Sequence, residues 1–188
     1  SIPLLYSSIY YLPQSYIVNR EVFDYEFELA HKDLFQSLES ISDMVFIDTE
    51  SRGNASSVQI LEEADLVVVN IDQDKEDWDD YFENYASMLE KSVFLIGRYE
   101  KENPFNLELI QKQYHIPRGK MAVIPYNIDL HIAANEGRMI PFLNRNYLKS
   151  SRAENEYLMG EVKRAVIMLK ENMTYLGKPD MMRRFGKN

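Results

Sequence analysis

The chain has no cysteine among its 188 residues, which removes disulfide frames, thiolate nucleophiles and zinc–thiolate centres from the chemistry open to it. That composition fits a reducing compartment. The residues given show no signal-peptide pattern and no uncharged apolar run long enough to span a bilayer, so a soluble, cytoplasmic chain is expected. Histidine is scarce, and His31, His115 and His131 lie far apart with no second ligand at metal spacing. No Gly-rich dinucleotide turn occurs, which disfavours a Rossmann dehydrogenase. No nucleophile–base pair, internal repeat or low-complexity segment is present either.

What the chain does have is apolar bulk. Residues of hydrophobic type make up 45% of it, with 13 Tyr and 9 Phe, enough for one folded domain with a real core. Its net charge is −9, and an acidic surface repels phosphate backbones, so DNA binding is not expected. The acids from Asp72 to Asp80 lack the ligand order and mid-loop glycine of a calcium hand and read as a helix start rich in acids. Only residues 178–188 reverse the sign, with Lys178, Arg183, Arg184 and Lys187 interleaved by Met181, Met182 and Phe185. A frayed tail is the expectation there, with weak membrane contact as the sharper reading.

Hydrophobic periodicity predicts an α/β fold: a mostly parallel sheet flanked by helices, in one domain over residues 1–177 followed by the tail. Short apolar runs predict strands at Ile9–Leu12, Met44–Ile47, Leu66–Ile71, Val93–Ile96 and Met121–Ile124, the Met44 run being continuous as in a strand buried on both faces. Helical spacing predicts Glu21–Ile41, with Phe23, Phe27, Ala30, Leu34, Leu38 and Ile41 inward. It also predicts helices over Ser57–Ala64, Asp77–Glu90, Pro104–Tyr114, Met139–Leu143 and Glu154–Leu176, the last closed by Gly177.

One stretch is more specific. Val123 to Ile140 reads V-I-P-Y-N-I-D-L-H-I-A-A-N-E-G-R-M-I, a strand ending at Pro125, a turn, and a helix stopping at Gly137. The order I-P-x-N-x-x-L-x-x-A-x-x-x-G resembles the C-terminal segment of the ParA/Soj partitioning ATPases, relatives of MinD with a deviant Walker motif. Met44-Val45-Phe46-Ile47-Asp48-Thr49 is similar to their Walker B strand, and Glu63-Ala64-Asp65-Leu66-Val67-Val68-Val69 to the helix and strand that follow. Leu5 to Tyr16 looks like the family's strand leading to "L-P". The resemblance covers roughly Leu5 to Tyr147.

The resemblance implies a P-loop NTPase-like three-layer sandwich and a nucleotide-dependent positioning protein, partitioning chromosomes or plasmids or localising pilus machinery. ATP and Mg²⁺ would be the complete protein's cofactors, and a homodimer and a protein cargo its partners. Asp48 would assist Mg²⁺ in catalysis, Thr49 and Gly53 would lie at the switch loop through Ser51–Asn54, and Arg98, Pro125, Tyr126 and Asn127 would border adenine. Two positions depart from the family: Glu50 replaces a proline and adds negative charge where phosphate would lie, and Gly97 replaces an adenine-binding asparagine. The loop G-x-x-x-x-G-K-[ST] that cradles phosphates is missing, because Gly119-Lys120, Gly177-Lys178 and Gly186-Lys187 have neither the upstream glycine nor the following Ser or Thr. The first strand and phosphate loop are therefore expected upstream of Ser1. The competing expectation is a degenerate, non-hydrolysing adaptor that keeps the fold as a localisation scaffold. A receiver-like or flavodoxin-like α/β binding domain is a third alternative, although the paired acids and late lysine of a receiver do not both find places.

Overall fold

The structure, a computed structural model, describes residues 4–5, 9–13, 17, 19–49, 53–148 and 153–175. Readings that fall on Gln14–Tyr16, Glu50–Arg52, the Leu176–Gly177 helix end and the basic tail 178–188 lie outside the described residues. The chain divides into two compact units, Ser1–Ile60 and Leu61–Asn188.

In the first unit β1 (Leu4–Leu5) and β2 (Ile9–Tyr10) form a short antiparallel ladder. Helix α1 (Arg20–Ile41) starts at Asn19, whose side chain accepts from the Val22 N–H at 3.2 Å and satisfies one of the orphan donors of the first turn. Its inward face differs from the predicted stripe. Phe23, Phe27, His31 and Phe35 follow at four-residue steps with neighbouring ring centroids about 6 Å apart, while Ala30, Leu34 and Ile41 are exposed. Aromatic stacking along the helix explains the rotation of the face. Helix α2 (Ala55–Glu63) forms close to the predicted Ser57–Ala64, and His31 is buried and bonded to its Gln59.

A second reading needs correction. Met44–Ile47, predicted as a strand buried on both faces, forms no strand and pairs with none among the described residues, and Phe46 is 79% exposed. An apolar run becomes a buried strand only where a ladder partner and two covering layers meet it; the sequence carries the run but not those neighbours.

The second unit holds β3 (Val67–Ile71), β4 (Ser92–Tyr99) and β5 (Met121–Pro125), all parallel and in the order β3-β4-β5. Parallel neighbours require crossovers. These are supplied by α3 (Lys75–Asn84) with the 3₁₀ turn Ala86–Lys91, and by α4 (Leu107–Gln113). Asp74 caps α3 and Asn106 caps α4, so α3 begins before the predicted Asp77 and α4 after the predicted Pro104. The predicted helix to Glu90 breaks at Tyr85, whose own N–H makes the last four-residue bond, to the Tyr81 carbonyl, while its carbonyl takes the Met88 N–H three residues on as the backbone tightens.

Both faces of this sheet are covered. On one, Trp78 and Tyr81 of α3 and Ile110 of α4 pack on Val69, Phe94, Ile96 and Val123. On the other, Ala165 and Met168 of α7 (Ala153–Tyr175) pack on Val93 and Ala122. Trp78 is fully buried, stacks on Phe94 at 5.2 Å and donates its indole N–H to the Asp72 carbonyl at 2.9 Å. At the amino edge of the sheet, Lys91 donates to the Glu62 and Ala64 carbonyls at 2.6 and 3.1 Å, and Lys120 to the Glu90 carbonyl. Those bonds satisfy carbonyls left over at the ends of helical turns.

Two outcomes are expected from this core. Trp78→Ala should lower stability by about 3–5 kcal/mol, read by urea denaturation followed by far-UV circular dichroism because Trp78 is the single tryptophan. The second concerns Tyr114, whose hydroxyl donates to Asp79 Oδ1 at 2.7 Å. Burial, then the Asp79 carboxylate, hold this phenol above its ordinary range. A raised folded-state value gives stability that is complete below the unfolded tyrosine pKa of about 10 and is lost as pH rises beyond it. Tyr114→Phe should therefore flatten the alkaline fall of the urea midpoint above about pH 10.

Candidate functional site: the carboxyl edge of the parallel sheet

In an open parallel sheet, ligands gather where the strands end, because the loops there leave backbone groups and side chains unclaimed by the ladder. Here Lys91 and Lys120 at the amino edge are engaged with backbone carbonyls, and the opposite edge is taken as the candidate.

Three strand ends build it. β3 runs out into Asp72 and Gln73. The Gln73 amide is used on both sides: its nitrogen donates to the Glu100 and Phe105 carbonyls at 3.2 and 3.0 Å, and its oxygen accepts from the Glu100 N–H at 2.7 Å. One side chain thus fixes the start and the end of the loop after β4. Tyr99 adds a further bond, its hydroxyl accepting from the Leu107 N–H at 3.2 Å.

At the end of β4 the register slips between Ile96 and Tyr99, and Arg98 takes a left-handed backbone with φ 45°. A non-glycine residue in that region is strained. The other such residue, His115 at φ 54°, follows the Tyr114 cap of α4, where helices commonly end this way. Arg98 has no helix end to account for it. Its guanidinium pairs with the Asp72 carboxylate, which raises its already high pKa through that hydrogen bond. A Cβ on Gly97 would lie 3.2 Å from Asp72 Oδ1, so the missing side chain at Gly97 gives Asp72 its room beside the strand. The Arg98 side chain stays 77% exposed. A carboxylate held at the edge of a guanidinium leaves the faces of the plane open for stacking.

β5 ends at Pro125, and the next residue returns to β4: the Tyr126 N–H donates to the Tyr99 carbonyl at 3.1 Å. Tyr126 is therefore one bond and one residue from Arg98, and it is about half exposed. Asn127 caps α5 (Ile128–Asn135), its Oδ1 accepting from the Leu130 N–H at 2.8 Å while its Nδ2 donates to Asn155 Oδ1 at 2.8 Å. The helix ends before Gly137, whose φ of 65° suits glycine, as the sequence predicts. α6 (Met139–Leu148) follows.

Of the residues singled out in the sequence, Arg98, Pro125, Tyr126 and Asn127 thus meet at one edge of the second unit. Asp48, Thr49 and Gly53 belong to the first. Asp48 is exposed on the irregular segment after Met44–Ile47, and Thr49 is half-buried. Among the described residues no group of three His, Asp or Glu is gathered to hold a metal ion. Asp72 was hidden within the acidic run, although its place directly after a strand marks it. Asn155 lies on a long amphipathic helix where nothing but its polarity sets it apart. A cleft of about 340 Å³ opens nearby between Tyr99, Lys101, Leu107, Gln111, Arg118 and Met121, and neither Arg98 nor Tyr126 lines it. The candidate site is thus an open platform, not a cavity.

The chain matches no family model, no curated protein and no solved structure. Its class rests on architecture: an α/β protein with a three-strand parallel sheet flanked by helices. Among the described residues no helix is long and apolar enough to cross a membrane.

The strain at Arg98 is testable. Glycine relieves a left-handed position, and an exposed ion pair contributes little. Arg98→Gly should leave the unfolding free energy from urea melts equal to or above wild type and about 1 kcal/mol above that of Arg98→Ala, which keeps the strain and should stay near wild type. A loss of several kcal/mol in Arg98→Gly would show that the arginine is held for stability.

Proposed function

We propose that this chain is part of a ParA/MinD-like, nucleotide-dependent positioning or partitioning protein, and that its carboxyl sheet edge receives the adenine ring of ATP. The observation that carries the reading is the strained backbone of Arg98, whose guanidinium stays exposed and whose neighbour Tyr99 holds the N–H of the half-exposed Tyr126. A flat cation and a flat phenol suit a purine by stacking, with little demand for a deep pocket. Pro125 stops the strand and Asn127 starts the helix, so the Tyr126 turn has a defined shape before any ligand arrives.

The residues present fit the base and not the triphosphate. The chain has no phosphate-cradling loop, and Asp48 is a single exposed carboxylate on an unpaired segment. In the ParA-like reading ATP-driven dimerisation regulates surface binding, with a protein cargo as partner, and the complete product of the reading frame supplies the phosphate side.

The test is a ¹⁵N NMR titration of the full chain with adenosine, and with uridine as control. Adenosine should shift the amides of Arg98, Tyr99, Tyr126 and Asn127 to saturation, while uridine shifts them far less. Arg98→Ala should weaken adenosine binding several-fold, the size expected for losing one stacking partner worth about 1 kcal/mol. No shift at these amides at millimolar adenosine would sink the nucleotide reading. If the complete gene product also binds no ATP, the scaffold that localises other proteins without nucleotide takes its place.

A further inference from the structure

Asn127 forms its cap with one end of its amide, and the other end reaches across the fold. Its Nδ2 donates to Asn155 Oδ1 at 2.8 Å, a contact between residues 28 apart in sequence. Asn155 projects from α7 and is 2% exposed. Its own Nδ2 faces Asn146 Oδ1 and Asp129 Oδ2, each at 3.4 Å, and Asn146, 4% exposed, donates to the Phe142 carbonyl at 2.9 Å. A line of amides therefore runs from the turn after β5, through the first turn of α5, into α7 and α6.

Stability alone does not require this line. An apolar side chain at Asn155 would extend the packing of Leu158 and Met159, which are almost fully buried next to it. A buried amide instead costs about 1–3 kcal/mol whenever a partner is missing, so its neighbours must sit where they satisfy it. A fully satisfied buried polar network fixes one arrangement among many of similar packing energy. The arrangement it fixes here is that of Asn127, and with it the turn that carries Tyr126. The Tyr126 N–H is held by Tyr99 from the strand side; the helix side of the same turn is held from α7.

We infer that Asn155 is a positioning residue for the Tyr126–Asn127 turn, acting through the Asn127 amide to set how the Tyr126 ring is presented. The part concerning adenine rests on the function proposed above; the part concerning the turn does not.

The experiment uses the full chain in three forms: wild type, Asn155→Ala, and Met168→Ala as a control. Met168 is buried on the same helix but packs on the sheet, not on the turn. Amide hydrogen exchange is measured without ligand, then adenosine is titrated. In Asn155→Ala the Tyr126 and Leu130 amides should exchange about tenfold faster relative to the Phe94 amide, and adenosine should bind about fivefold to tenfold more weakly. Met168→Ala should lower the thermal midpoint while leaving the ratio of Leu130 to Phe94 exchange, and the adenosine affinity, near wild type. Wild-type exchange at both turn amides in Asn155→Ala overturns the inference, as does the same local acceleration in Met168→Ala. If wild type binds no adenosine, the functional reading fails and the exchange arm still decides the role of Asn155. Should Asn155→Ala fail to fold, Asn127→Ser cuts the link from the other side: serine keeps the cap on Leu130 but loses the amide donor, and the same local acceleration is expected.

Discussion

β4 is hydrogen-bonded in parallel on both of its edges, and the second unit takes its geometry from that strand. A central parallel strand must be covered on both faces, because neither face can be left to water. That requirement places Trp78 and Ile110 on one side and the α7 face of Ala165 and Met168 on the other. It also gives the sheet a direction, with all strand ends on one edge. Trp78 joins the two consequences, since the indole that packs on Phe94 also holds the carbonyl of Asp72, the first residue beyond β3. Core packing and edge geometry are therefore coupled through one side chain.

The edge combines rigid and strained parts. Gln73 and Tyr99 secure the loop after β4, Tyr99 and Asn155 secure the turn after β5, and between them Arg98 stands in a conformation its side chain disfavours. Strain of that kind persists only where the surroundings over-determine it. The Asp72 partner and the missing side chain of Gly97 are part of those surroundings. At the opposite edge Lys91 and Lys120 donate to backbone carbonyls of the preceding helical turns.

Much of the second unit was legible in the sequence because its signals are local. The runs Val67–Val69, Val93–Ile96 and Met121–Ile124 are strands, and the proline, asparagine and glycine at 125, 127 and 137 each do what their backbone chemistry suggests. Met44–Ile47 failed for the complementary reason. Its composition says strand, but a strand is defined by partners, and partners are not written in a single segment. The face of α1 turned because ring contacts, stacked between Phe27 and His31 and edge-on between His31 and Phe35, outweighed aliphatic spacing. At the edge, Arg98 and Tyr126 could be named in advance, whereas Asp72 and Asn155 could not. The bonds that reveal these two join residues tens of positions apart, and no local pattern records such a pairing.

The clamp at Gln73 sets a limit on how this surface can vary. Because the amide donates to two carbonyls and accepts from an N–H, glutamate, its nearest match in shape, would keep one bond and turn a negative oxygen toward two others. The loop after β4 thus tolerates changes along its own length better than at the distant residue that ties it. Chemical ageing of that one amide to an acid would loosen the loop without altering a single atom within it.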